Sequence, residues 1–176
     1  TELEQQDGYL RGHGALALTF SWIACDPDLW DIVHSLPPDF VAPEWRTILT
    51  DAKGALPHVG TAIVLTATAL EVFISRILDA LQPGSDLPAK TWSWINDRSN
   101  RQNNPTIEEQ YSDLLEMLCG HSLKSNADLW QSFKNLKTAR NTFVHEGTAK
   151  IGGVAVTLDQ ASNFILLADK IISQIR

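Results

Sequence analysis

The strongest constraint on the fold lies near the middle of the chain. A segment from about Pro57 to Leu81 reads as one long helix, apolar on nearly every side between Ala62 and Leu70. A helix without a polar face has to sit at the centre of a fold, with other elements covering it all round. Glu71 stands at the end of that apolar run, and a charge in such a place needs a partner or a position near an edge. An ion pair on the side of Ser75 and Arg76, or plain exposure, is the structural alternative to a functional role.

The covering elements can be read on both sides. Pro43 opens a helix with Trp45, Ile48, Leu49 and Ala52 on one stripe and Gly54 near its end, the spacing of an amphipathic face. Thr106-Ile107-Glu108-Glu109 has the form of a capping box, entering a helix that runs to about Cys119 with Tyr111, Leu114, Leu115 and Leu118 as its apolar stripe and Gly120 as its stop. A further helix starts after Ser125-Asn126, buries Leu129, Trp130, Phe133 and Leu136, and ends at Gly147. Lys150 to Val156 reads as a small hairpin about Gly152-Gly153, and a last helix runs from about Leu158 to Ile175. Residues 82–105 are polar and turn-rich, and read as a loop. The expectation is all-α: an antiparallel bundle of about five helices over residues 42–176, with a small hairpin before the last helix.

Residues 1–41 read differently, as a separate segment made of a strand plus a connector. Leu16, Leu18, Phe20 and Trp22 alternate with Ala15, Ala17, Thr19 and Ser21, the period of two that marks a short β-like segment. Asp26-Pro27-Asp28 then starts a short helix that Pro37-Pro38 ends.

With 176 residues the chain can bury a core without a structural metal or disulfides. Cys25 and Cys119 stand alone, with no Cys-x-x-Cys and no spaced His pair, so neither a zinc site nor any other metal or cofactor is expected. The acidic start Thr1-Glu2-Leu3-Glu4 is unlike a signal peptide, and no run is read as approaching a membrane-spanning length, so a cytoplasmic protein with no membrane association is expected. The missing initiator Met suggests a piece of something longer. The net charge of −7 excludes a broad nucleic-acid-binding surface and leaves room only for a local cleft.

One stretch carries chemistry: Lys137-Thr138-Ala139-Arg140-Asn141-Thr142-Phe143-Val144-His145-Glu146-Gly147. On a helix Asn141 and His145 are i and i+4 and share a face, which Arg140 can reach with its long side chain. Lys134, Lys137 and Arg140 follow one another at i+3, and with Lys150 they concentrate positive charge around the motif. An arginine fork matches phosphate oxygens, and an imidazole moves a proton near neutral pH. Together they suit cleavage of an RNA phosphodiester, in which a base takes the 2′-OH proton, an acid protonates the leaving 5′-oxygen and a cation stabilises the phosphorane. One Arg–His pair supplies part of that set, and a second copy across a two-fold axis would complete it. The bland reading makes His145 a helix-end histidine over its own carbonyls and pairs Arg140 with Glu146.

Arg140-Asn141-x-x-x-His145, late in a helical chain, resembles the Arg-polar-His motif of the HEPN superfamily. Ala67-Thr68-Ala69-Leu70-Glu71-Val72-Phe73 is similar to the Glu-bearing second helix of HEPN domains found in phage-defence proteins. The resemblance covers roughly residues 42–176. It implies a homodimer through the motif helix, forming one composite, metal-independent endoribonuclease site in the effector of a defence or toxin system. Arg140 would then contact the scissile phosphate, Asn141 would orient it or the imidazole, and His145 would be the general acid and base, with Glu71 and Lys137 in support. RNA would be the substrate, and a sensor domain or partner protein a further component. Gly147 stands where modified members carry a Tyr two residues after the His, so nucleotide addition there is not expected. A HEPN-like domain that only dimerises, or binds a nucleotide or a protein, is the other reading.

Overall fold

The computed structural model describes residues 27–95 and 104–175. The chain divides into two compact units, Thr1–Val41 and Ala42–Arg176. In the first, the described part is helix α1 (Pro27–Ser35) and the turn after it, with the Trp30 and His34 rings 4.2 Å apart. The strand read over residues 14–24 lies outside the described residues, as do Cys25 and the Asp26 start signal.

Among its described residues the second unit is helical apart from one small hairpin and the connections. In chain order it holds α2 (Glu44–Gly54), α3 (Val59–Leu81), α4 (Ala89–Ile95), α5 (residues 107–119), α6 (Ala127–Glu146), β1 (Lys150–Ile151), β2 (Val154–Ala155) and α7 (Leu158–Ile175). Helix α3 is the central element, packed against α2, α5, α6 and α7. Its apolar run is the reason: Ala62, Ile63, Ala67, Ala69, Leu70, Phe73, Ile74 and Leu78 are all buried. The buried Thr66 hydroxyl donates to the Ala62 carbonyl at 2.7 Å, so its polar group is satisfied within the core.

The surrounding helices turn one stripe inward each. Trp45, Leu49 and Ala52 of α2 and Phe164, Ile165, Ala168, Ile171 and Ile172 of α7 close on α3, and Trp45 meets Phe73 edge-on at 5.3 Å. The hairpin pairs Lys150 with Ala155 and Ile151 with Val154 through Gly152-Gly153, both at positive φ as a tight two-residue turn requires.

Three sequence expectations are corrected. Residues 82–105 are not all loop: a 3₁₀ turn Gln82–Gly84 and helix α4 lie within them. Trp92 and Ile95, three apart on α4, pack against the core, and that tertiary contact outweighs the polar composition around it. Helix α5 is not a uniform α-helix. After Ile107–Glu109 it widens into a π-turn, Gln110–Leu114, before Leu115–Cys119, which buries Tyr111, Ser112 and Leu114 and lets the Tyr111 hydroxyl donate to the Leu70 carbonyl at 2.7 Å. Finally, the segment Val59–Gly84 is long and apolar enough to cross a membrane by length and composition. Its buried face here is the core of the bundle.

Candidate functional site

The motif helix is fixed at both ends. Asn126 accepts the Leu129 N–H at 3.2 Å as N-cap. At the other end Gly147 takes the left-handed conformation (φ 71°) and returns its N–H to the Phe143 carbonyl at 2.8 Å. Phe133, Leu136 and Ala139 are buried on the core side. Phe143 packs beside them over Gly60 of α3, so close that a Cβ at Gly60 would overlap the ring. Thr142 ties this end to the hairpin: its hydroxyl accepts the Lys150 N–H at 2.8 Å and lies within donation distance of the Ala139 and Lys150 carbonyls, at 3.0 and 3.1 Å.

Arg140 falls between Leu136 and Phe143 on the edge of that core face, which is why a guanidinium sits half-buried here. Its Nη1 donates to the Asn141 carbonyl oxygen at 3.2 Å. Its Nε is buried with no hydrogen-bond partner, and no carboxylate among the described residues pairs with it. Arg140 and Asn141 line a small cavity of about 110 Å³ with Lys137, Glu71 and the apolar side chains of Ala67, Ile107, Phe133 and Leu136. Four of the five candidate residues therefore share one cavity, although they come from helices about seventy positions apart in sequence, α3 and α6.

His145 is not in that lining. It is exposed on the last turn of α6 and makes no hydrogen bond or ion pair among the described residues. It stands five positions after Arg140, a rise of about 7.5 Å along the helix. Two of the bland alternatives are not adopted, since Glu146 pairs with Lys150 at 3.0 Å rather than with Arg140 and Arg76 pairs with Glu44 at 3.6 Å rather than with Glu71, whereas the place of His145 in the last turn of α6 is that of a helix-end histidine.

The basic stripe is less positive than the sequence suggests. Lys137 is held by Glu108 at 2.8 Å and Lys150 by Glu146, which leaves Lys134 and Arg140 as the cations of this helix without an acidic partner among the described residues. Arg98 and Arg101 lie outside the described residues. Glu71 faces no cation at ion-pair distance, and it stands near Tyr111: burial first, and the Glu71 carboxylate second, raise that phenol well above its usual value.

Glu108, Thr142 and Gly60 were not legible as parts of this site. Glu108 is 29 residues from Lys137 and reads as a helix-start acid, and only the packing of α5 beside α6 reveals their pairing. Comparison of the chain with protein-family models, curated proteins and solved structures gave no match.

Proposed function

We propose that the unit 42–176 is a metal-independent endoribonuclease module of HEPN type that works as a homodimer. The observation that carries the reading is Arg140: a half-buried guanidinium with an unpartnered Nε, bonded to Asn141 rather than to an acid, on the same helix as an exposed imidazole. An arginine left without a carboxylate keeps its fork for a phosphate. In the dimer, one His145 takes the proton from the 2′-OH as the 2′-oxygen attacks phosphorus. The other gives its proton to the departing 5′-oxygen, leaving a 2′,3′-cyclic phosphate and a 5′-OH. The two Arg140 side chains offset the charge of the phosphorane.

A second reading is favoured by a specific feature. Lys137 and Lys150 are already paired with carboxylates on a chain of net charge −7, so few cations remain for RNA, and a dimerising or small-ligand-binding HEPN-like domain fits that economy.

One experiment separates the two. The purified protein is incubated with mixed tRNA and mRNA in EDTA, beside His145→Ala and Arg140→Ala, with oligomeric state read by sedimentation. Products ending in 2′,3′-cyclic phosphate, reduced at least about a hundredfold in both variants, are expected. A folded, dimeric wild-type protein without cleavage would instead support the binding-domain reading.

A further inference from the structure

The last turn of α6, which carries His145, has left the core. Phe143 is the final residue of that helix to pack against it, and Val144, His145 and Glu146 are all exposed. The closing carbonyls of a helix have no partners further along it, and such turns fray. An imidazole on a fraying turn does not keep the placement, good to about 0.5 Å, that proton transfer in a preorganised site demands. The Gly147 cap secures one of those carbonyls, that of Phe143.

A second hold comes from a single residue of the hairpin. Lys150 donates its backbone N–H to the Thr142 hydroxyl at 2.8 Å and places its carbonyl 3.1 Å from the same oxygen, while its Nζ meets Glu146 at 3.0 Å. Thr142 and Glu146 are i and i+4 on α6, so Lys150 grips two successive turns on one face, and His145, three residues after Thr142, stands next to that face. The support behind the grip is fixed. Ala149 and Val156, which flank the hairpin, are buried, the Val156 N–H donates to the Ala149 carbonyl at 2.9 Å, and Ile151 packs against the core. The two contacts differ in weight. The pair of Lys150 Nζ with Glu146 is exposed, where an ion pair contributes little. Thr142 is half-buried, and without its hydroxyl the Lys150 N–H loses its partner there. We propose that Thr142 is a positioning residue, whose hydroxyl, clasped by Lys150, holds the turn that presents the His145 imidazole to RNA.

This role deepens the ribonuclease reading and rests on it, so the experiment measures chemistry, binding and local order separately. Single-turnover cleavage of an end-labelled RNA in EDTA, at saturating protein, gives the rate of the chemical step. Fluorescence anisotropy with the 2′-O-methyl form of the same RNA, which lacks the attacking hydroxyl, gives affinity, and hydrogen exchange gives the protection of each amide of α6. The wild type is compared with Thr142→Val, which keeps the size of the side chain but not its hydroxyl, with Thr142→Ser, which returns the hydroxyl, and with Glu146→Gln. Thr142→Val is expected to slow cleavage by about ten- to a hundredfold while affinity stays within about twofold, the pattern of a displaced catalytic group. Protection at Val144, His145 and Glu146 should fall in that variant, and at Leu136 it should not. Thr142→Ser should recover the rate to within about threefold, and Glu146→Gln should change it by less than about twofold. Cleavage by Thr142→Val at the wild-type rate would overturn the proposal and leave the ribonuclease reading standing. Protection lost along the whole of α6, with affinity falling in step, would also overturn it, by making Thr142 a residue of the fold alone. A folded, dimeric wild type that cleaves nothing would overturn the ribonuclease reading, and the positioning role with it.

Discussion

The two cavities on either side of Glu71 share that carboxylate and the side chain of Ile107, yet they are opposites. The one facing α6 is narrow, about 110 Å³, and sets Arg140 and Lys137 against a mostly apolar wall. The one facing α4 is about four times larger by comparison of the two volumes, 440 against 110 Å³, and its described lining residues bring acids and amides. The difference follows from what each neighbouring helix brings. Helix α6 packs its Phe133, Leu136 and Phe143 into the core, so Arg140 beside them is half-buried, with a buried Nε and no acid paired to it among the described residues. Helix α4 is short and contributes one indole, so the far half of α3 keeps Glu71, Ser75 and Asp79 along an open wall. One helix thus borders two unlike cavities, one whose described lining holds Arg140 and Lys137 and one whose described lining holds acids and amides.

The sharpest way to separate the two is at Gly60. A Cβ there meets the ring of Phe143, so Gly60→Ala must push the C-terminal half of α6 away from α3. Overpacking of this kind costs about 1–3 kcal/mol, against a helix-propensity gain of up to about 1 kcal/mol for replacing glycine. A net loss of about 1–2 kcal/mol is expected in urea unfolding, together with lower RNA cleavage, while amide exchange along α4 stays as in the wild type because the described lining of the cavity on that side includes no residue of α6. Adding Phe143→Leu should restore most of the stability. If Gly60→Ala disturbed α4 as much as α6, the two cavities would be one coupled unit.

How far this arrangement was legible in the sequence depends on how local its cause is. The capping box at Thr106, the hairpin turn at Gly152-Gly153 and the bounds of α7 follow from residues within a few positions of each other, and they were readable. So was the central place of α3, because a helix apolar on nearly every side has only one place to go. Helix α4 was missed because its signal is two side chains, Trp92 and Ile95, whose value lies in the core they touch. The site was half visible. The motif drew attention to Arg140, Asn141 and His145 on one helix, and the structure gathers Arg140 and Asn141 with Lys137 and Glu71 but leaves His145 outside the cavity on an exposed turn. The pairing of Lys137 with Glu108 could not be read at all, since nothing in a chain with 21 acids says which of them will stand opposite a given lysine.

Glu71→Gln probes the shared wall itself. It keeps the shape of the side chain and removes the one negative charge in the lining of the Arg140 cavity. Binding of a short uncleavable RNA, followed by fluorescence anisotropy at low salt, is expected to tighten roughly two- to fivefold, an electrostatic gain that fades as salt is raised. RNA affinity that falls instead would make Glu71 a group that holds Arg140 in place rather than one that opposes its ligand.

The smallest effect concerns the wall the two cavities have in common. Ile107 sits in the first turn of α5, and that turn is held by the capping box, in which Glu109 accepts the Thr106 N–H at 2.6 Å and the Thr106 hydroxyl accepts the Glu109 N–H at 3.2 Å. The Thr106 backbone bond chiefly, and its hydroxyl next, hold the Glu109 carboxyl below its usual value. A carboxyl whose folded pKa is depressed stabilises the fold above its unfolded value, near 4.3, and that contribution disappears as the pH falls through the folded value. Because Glu109 is exposed, water screens much of the effect. The stability gap between the wild type and Glu109→Gln, measured by urea unfolding from pH 7 to pH 3, should be small at neutral pH and close toward the acid end. The protection of the Gln110 amide against exchange, taken relative to its intrinsic rate at each pH, should fall over the same range, since its N–H bonds to the Thr106 carbonyl at 2.9 Å. A gap that widened in acid would mean that the turn carrying Ile107 is held by its burial against the core and not by its cap, in which case both cavities would keep their common wall at any pH.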